Sequence, residues 1–306
     1  MISAWFTLFY FYIIILISLN QLCSFLQSQF VDFGDGTGCL VESPSTENTT
    51  CYLSTNFIAS YVLRELCGLG SIADKVDTLL LQYHQYSFHD YYQILLFKDI
   101  PYPFRLISTV DVASKVVGNK TISIKTVVVT GTLFKDYHEY ANMLFYESIE
   151  NQLKGFYKGA EDSYWRARKM FDGKGFADRV YTSLGYYETY KLALGLYTAR
   201  LLAIKSDIEL FRNLLNSIEP FATLYNSGLQ GVGDLNIETA GLTAIALYSD
   251  LPTRVQQSNS GAQQPHIINI IVYGIVSITV ALIIYLISKI RKYLFTSGYR
   301  SRPPFL

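Results

Sequence analysis

The sequence predicts a mainly α-helical domain with a small antiparallel β insertion and a single C-terminal transmembrane helix. Three observations predict this class. Apolar residues recur with helical spacing over 55–84 and again from 136 to 249. β-Branched residues alternate with polar ones over 91–133, and residues 267–288 form an uncharged apolar run. Only 16% of the 306 residues are charged, which is low for a soluble domain.

The apolar run 267–288 predicts a membrane span. As a helix it would be about 30 Å long, which matches the hydrocarbon core of a bilayer. The tail that follows, 289–306, carries five basic and no acidic residues. The positive-inside rule therefore places this tail in the cytoplasm and the bulk of the chain outside. We expect a single-pass protein of the cell membrane, with residues 252–265 as a polar stalk between the outer domain and the bilayer.

The first 25 residues form a second apolar segment. They contain no Lys or Arg, so the basic n-region of a secretory signal is missing. Residues 4–19 have the length of a signal-peptide core rather than that of a full span. Residues 1–25 are therefore a signal peptide or a retained N-terminal anchor, and residues 31–251 are the extracellular domain in either case.

Cysteines and glycosylation sequons agree with an exterior location. A bridge between Cys39 and Cys51 would close a short loop in an oxidising compartment. The four cysteines of the chain allow three pairings, so sequence alone does not fix this bridge. Asn48 and Asn119 each begin an Asn-x-Thr sequon and are candidate glycosylation sites.

The outer domain begins with a helical hairpin and continues through the β insertion. Glycines at 68 and 70 break the helical pattern of residues 55–84 into two helices. The insertion, about 91–133, is expected to hold three or four strands, with a turn at Gly118. Further helices are then predicted at 136–153, 159–171, 183–203, 207–218 and 236–249.

Two of these later helices share a weak repeat. The segments GYYETYKLALGLY (185–197) and LNIETAGLTAIALY (235–248) both place Glu-Thr at the start of an Ala- and Leu-rich helix. Each follows a glycine-bearing loop that contains an aspartate. In this pattern residues 170–250 resemble part of an α/α-toroid, the fold of six-hairpin glycosidases and terpene-cyclase-like domains. The resemblance implies a partial toroid of helical hairpins, since seven helices are counted where a full ring has about twelve.

The resemblance also implies a set of candidate carboxylates. In toroid glycosidases the ends of the inner helices line a cleft, where two acids act as general acid and base. The matching residues here are Asp178, Glu188, Asp234 and Glu238. The structural interpretation of the same residues is capping, because acids at helix N-termini and in glycine loops are stabilised there without any catalytic role.

Several other activities are not supported by the sequence. Between residues 32 and 266 there are 25 acidic and 20 basic residues, a net charge of −5, and no basic stripe that would bind nucleic acid. His84, His89 and Asp90 lie close together in the sequence but lack further ligands at the spacing of a zinc site, so we expect no metal and no other cofactor. The string Gly68-x-Gly70-x-x-Ala73 follows a predicted helix rather than a strand, which makes it a hairpin turn rather than a dinucleotide site.

The function expected from the sequence is non-catalytic. We expect a membrane-anchored outer domain that acts as a binding or structural component of the cell envelope, whose partners are the lipid bilayer and a glycan or an envelope protein. The 25 tyrosines of the chain suit glycan or protein contacts. One alternative is a membrane-anchored carbohydrate-active enzyme, similar to a glycoside hydrolase, that uses paired carboxylates. The other is an accessory subunit of a membrane protein complex.

Overall fold

The computed structural model describes residues 19–44, 49–84 and 90–251, which belong to one compact unit. Their fold is mixed α and β, so the prediction of a mainly helical class is wrong. The helices are α1 (19–28 within the described part), α2 (Leu53–Tyr61), α3 (Gly70–Gln82), α4 (Ala141–Leu153), α5 (Tyr157–Arg168), α6 (Arg179–Leu184), α7 (Thr189–Leu201), α8 (Lys205–Ser217) and α9 (Ile237–Tyr248). A π-helical turn (Val62–Leu66) extends α2, and short 3₁₀ helices cover Tyr91–Leu96 and Tyr137–Glu139.

The helices form two classes by burial. Helices α2, α4, α7 and α9 are buried on nearly all sides; α7, for example, buries 11 of its 13 residues. Helix α8 instead buries Asp207, Phe211 and Leu215, which are spaced four residues apart on one face. The inner helices α2 and α9 approach each other closely where Gly241 faces Ile58. A Cβ atom added at Gly241 would lie only 2.8 Å from the side chain of Ile58, so the close approach requires glycine. Inner helices surrounded by amphipathic outer ones therefore form the core.

The strands form three small sheets among the described residues. They are β1 (Phe30–Asp32), β2 (Gly38–Leu40), β3 (Thr49–Tyr52), β4 (Arg105–Val117), β5 (Lys120–Leu133), β6 (Tyr187–Glu188), β7 (Ala222–Tyr225) and β8 (Gly231–Leu235). Their orders are β1-β2, β3-β5-β4 and β6-β7-β8. Sequence analysis recovered the long β4–β5 hairpin. It missed the shorter strands, because segments of two to five residues carry no measurable alternation.

The predicted β insertion differs from the observed one in extent and direction. Residues 91–96 are a 3₁₀ helix rather than a strand, and the first strand of the insertion begins at Arg105. Strand β3, from outside the predicted insertion, pairs with β5 in parallel, so the sheet is not purely antiparallel. The candidate glycosylation site Asn119 lies in the exposed β4–β5 turn, whereas Asn48 lies outside the described residues.

Helix α1 is part of the core. Its Leu22 and Leu26 are fully buried, and Phe25 stacks on Phe221 with 4.7 Å between ring centroids. The predicted leader, residues 1–25, thus ends inside a helix that packs against the rest of the fold. Residues 1–18 lie outside the described part of the chain.

The disulfide of the structure is not the one that the sequence suggested. Cys23 of α1 is bonded to Cys67, which follows the π-helical turn. Cys39 and Cys51 are free thiols, each with no exposed surface. The expected Cys39–Cys51 bridge is not formed. Sequence analysis had assigned Cys23 to the leader, but α1 packs into the fold and brings Cys23 next to Cys67.

We predict that Cys23→Ser lowers the free energy of unfolding by about 4 kcal/mol, since the Cys23–Cys67 bridge closes a loop of 44 residues. Denaturant unfolding of the variant and of the parent protein, each without reductant, measures this difference. Cys39→Ser serves as a thiol control, and reductant is expected to destabilise it much as it does the parent. Equal stabilities of Cys23→Ser and the parent would contradict the bridge.

The single-pass localisation also requires correction. Within residues 19–44, 49–84 and 90–251, no helix is long and apolar enough to cross a membrane. The longest helices described in full have 13 residues, whereas a span needs about 20. The predicted span 267–288, with its stalk and tail, lies outside the described residues.

Candidate active site

The N-terminal ends of the inner helices meet at one place. Glu42, which follows β2, connects α2 to α9: it accepts a hydrogen bond from the Thr55 hydroxyl at 2.9 Å and another from the backbone N–H of Glu238. The backbone carbonyl of Glu42 also accepts from the N–H of Ile237 at 3.0 Å. Residue 42 therefore satisfies backbone donors that the first turn of α9 would otherwise leave free.

An ion-pair network joins the ends of α4 and α7. The ammonium group of Lys191 lies 2.5 Å from Asp178 and 2.5 Å from Glu188. Asp178 also accepts from the first N–H of α4, at Ala141, with a distance of 2.9 Å. The side chains of Lys191 and Asp178 are essentially unexposed, so this pairing fixes the two helix ends with a buried charge network.

An open cleft of about 430 Å³ lies at this junction. We call it the carboxyl cleft, because the carboxyl groups of Asp90 and Glu238 line it. Its other lining residues are the five tyrosines Tyr91, Tyr92, Tyr140, Tyr146 and Tyr190, the polar residues Arg105 and Asn142, and the apolar residues Leu106, Ile107, Phe134, Met143 and Val180. The volume lies within the range of small-molecule sites.

Asp90 is held at the start of the first 3₁₀ helix. Its side chain caps that helix by accepting the N–H of Tyr91 at 2.8 Å. Burial raises the pKa of Asp90 to about 6, against hydrogen bonds from Tyr91 and Tyr92 that lower it. At neutral pH this carboxyl group is therefore mostly ionised, and it is a stronger base than an ordinary aspartate.

Glu238 lies in the first turn of α9, and its surroundings favour the protonated form of its carboxyl group. Burial raises the pKa of Glu238 well above its usual value, and the charges of Asp90, Glu42 and Glu188 raise it further. Glu42 shows the same effect, since burial raises its pKa to about 7. The carboxyl cleft therefore holds two carboxyl groups with raised pKa values, and the charge of Asp90 contributes to the shift of Glu238.

The tyrosines supply neutral hydrogen-bonding groups to the cleft. The hydroxyl of Tyr92 donates to Ser54 of α2 at 2.8 Å. Burial raises the pKa values of Tyr92, Tyr146 and Tyr190, so all three stay protonated over the physiological range. Flat rings with one polar tip suit the faces and hydroxyls of a sugar.

The structure separates the four carboxylates that the sequence singled out. Glu238 lines the cleft, and Glu188 lies close enough to raise the pKa of Glu238. Asp178 caps α6 by accepting a hydrogen bond from the N–H of Val180 at 3.0 Å, and it forms an ion pair with Lys191. Asp234 lies in β8 and does not line the cleft. The cap of α9 is the side chain of Asn236 rather than Glu238.

Sequence analysis considered Asp90 only as a metal ligand and missed Glu42 altogether. Asp90 stands in the segment HDYY, where the adjacent tyrosines were a usable signal for a polar site. Glu42 had no such signal, because its role depends on the approach of α9, almost 200 residues further along the chain. Within the described residues, no group of three His, Cys, Asp or Glu side chains is arranged to hold a metal ion.

Comparison with protein-family models, with curated proteins and with solved structures finds no match to this chain. The resemblance of residues 170–250 to α/α-toroid domains therefore stays a prediction. The chemistry of the carboxyl cleft has to be argued from its own residues.

Proposed function

We propose that the carboxyl cleft hydrolyses glycosidic bonds, with Glu238 as general acid and Asp90 as general base. The observation that supports this most is that two carboxyl groups with raised pKa values line one cleft. A general acid must carry its proton at the working pH and a general base must have lost its own. We assign the acid to Glu238, whose pKa is raised both by burial and by three neighbouring carboxylates, and the base to Asp90, whose ionised form is favoured by hydrogen bonds from Tyr91 and Tyr92.

The reaction follows from these protonation states. Glu238 transfers its proton to the glycosidic oxygen while the bond between that oxygen and the anomeric carbon breaks. Asp90 takes a proton from a water molecule, whose oxygen bonds to the anomeric carbon. A pKa of about 6 suits a base that works near neutral pH. The products are two sugars or a sugar and an alcohol, and the two carboxyl groups have exchanged protonation states.

The non-catalytic function expected from the sequence would use the same tyrosines to bind a glycan. What favours hydrolysis is the carboxyl pair, because two carboxyl groups with raised pKa values in one cleft are costly to gather for binding alone. Binding without turnover is therefore the outcome that would replace this proposal.

The test measures reducing ends released from soluble starch, pullulan, xylan and mannan, and nitrophenol released from a set of aryl glycosides. The full chain is expected to release product from at least one substrate, whereas the double variant Asp90→Asn/Glu238→Gln is expected to release none. Glu161→Gln is the matched control, since Glu161 is exposed on α5 and does not line the cleft. Release that persists in the double variant, or no release by the parent protein, would refute the proposal.

A further inference from the structure

One wall of the carboxyl cleft is apolar and open to solvent. Leu106 and Ile107, at the start of β4, both line the cleft and are 42% and 40% exposed. Val110 and Leu133 are further exposed apolar residues of the β4–β5 hairpin, but they do not line the cleft. Large apolar side chains that border a polar site are typical of a ligand-binding surface.

This wall is held firmly beside the acidic residues. The Tyr91 hydroxyl donates to the carbonyl of Arg105 and accepts from the N–H of Arg105, the second contact at 2.9 Å. Tyr91 directly follows Asp90, so a single residue ties the start of β4 to the general base. The apolar wall and the carboxyl group of Asp90 are therefore held in a fixed position relative to each other.

We propose that the ligand carries an apolar alkyl or aryl group that lies against Leu106 and Ile107, so that the substrate is a glycoside with an apolar aglycone. The glycosyl part of this statement rests on the proposed function. The apolar part rests on the exposed wall. A volume of about 430 Å³ has room for one sugar unit with such a group.

The experiment compares octyl with methyl glycosides of glucose, galactose and mannose by calorimetry, below the micelle concentration of the octyl compounds. Binding is measured on Glu238→Gln, so that turnover does not interfere. Burial of only two of the seven added methylene groups gives about tenfold tighter binding. We expect at least one octyl glycoside to show this advantage over its methyl counterpart.

The variants locate the contact. In the Glu238→Gln background, Leu106→Ser/Ile107→Ser is expected to reduce the octyl advantage to within about twofold. Val116→Ser is the matched control, because Val116 is 73% exposed on the same strand but does not line the cleft. Should the serine variant fail to fold, Leu106→Thr/Ile107→Thr removes apolar surface while it keeps good strand formers.

Each outcome bears on the inference separately from hydrolysis. An octyl advantage that depends on Leu106 and Ile107 supports the apolar site even if the hydrolysis assay fails. Hydrolysis without any octyl advantage supports the proposed function and overturns the apolar aglycone. Absence of octyl binding, or an advantage that the serine variant retains, also overturns it.

Discussion

Replacement of Glu238 by glutamine is expected to lower kcat for glycoside cleavage by about 10²- to 10⁴-fold, the usual contribution of a general acid. Glutamine keeps the size and polarity of the side chain but has no proton to transfer. The backbone N–H of residue 238 still donates to Glu42, so α9 keeps its contact with that residue. The defect should therefore appear in kcat more than in the affinity for substrate, as steady-state kinetics on the full chain will measure.

The pH profile separates the roles of the two carboxyl groups. Asp90 must be ionised to act as base, and burial raises its pKa to about 6, so the rate should rise with pH through about 6. Glu238 must be protonated, and its pKa is raised well above its usual value, so the rate should fall again on the alkaline side. The Asp90→Asn variant is expected to lose the rise in rate near pH 6, so that its residual activity no longer depends on pH on the acidic side of the profile.

Asp234→Asn is the matched control for these variants. Asp234 was an equal candidate at the level of sequence, but it lies in β8 and does not line the cleft. We expect Asp234→Asn to keep the parental rate and pH profile. A loss of activity in Asp234→Asn comparable to that in Glu238→Gln, or an unchanged rate in Glu238→Gln, would contradict the assignment.

The internal repeat explains why part of this site was predictable. Glu188 and Glu238 occupy the same place in the two repeated segments, and both reach the junction of the inner helices. Helix periodicity likewise located several of the later helices to within a few residues; the predicted 236–249, for example, is Ile237–Tyr248. A feature can be predicted from the local sequence pattern when the residues that determine it lie within one contiguous segment.

Features that depend on distant parts of the chain were not predictable in this way. The sequence suggested one helix over 183–203, but the structure ends α6 at Leu184 and places Gly185 in the left-handed region, with φ of 72°. The two residues of β6 then pair with β7, which was not recognised as a strand. Glu188 consequently precedes α7 instead of lying in its first turn, and this position lets it reach Lys191.

Substitution of Lys191 by methionine is expected to lower the free energy of unfolding by about 3–5 kcal/mol, as is usual when one partner of a buried ion pair is removed. Lys191 is 1% exposed and is the cation that contacts both Asp178 and Glu188. Methionine has a similar length, so the loss would come from charge rather than from volume. Two carboxylates would be left in the interior without their compensating cation. Denaturant unfolding near neutral pH measures the change.

The triple variant Lys191→Met/Asp178→Asn/Glu188→Gln tests whether the charge is responsible. Removal of all three charges avoids the uncompensated carboxylates, so the triple variant is expected to be more stable than Lys191→Met alone. If the triple variant is instead less stable, the hydrogen bonds that Asp178 accepts from Ala141 and Val180 carry more of the energy than the ion pair does, because asparagine has one acceptor oxygen where the carboxylate has two. The distinction matters for the cleft, because the hydrogen bond from Ala141 fixes the first turn of α4, and Asn142, Met143 and Tyr146 of that helix line the cleft. Partial rescue of stability without recovery of ligand binding would show that the buried charges position the site as well as stabilise the fold.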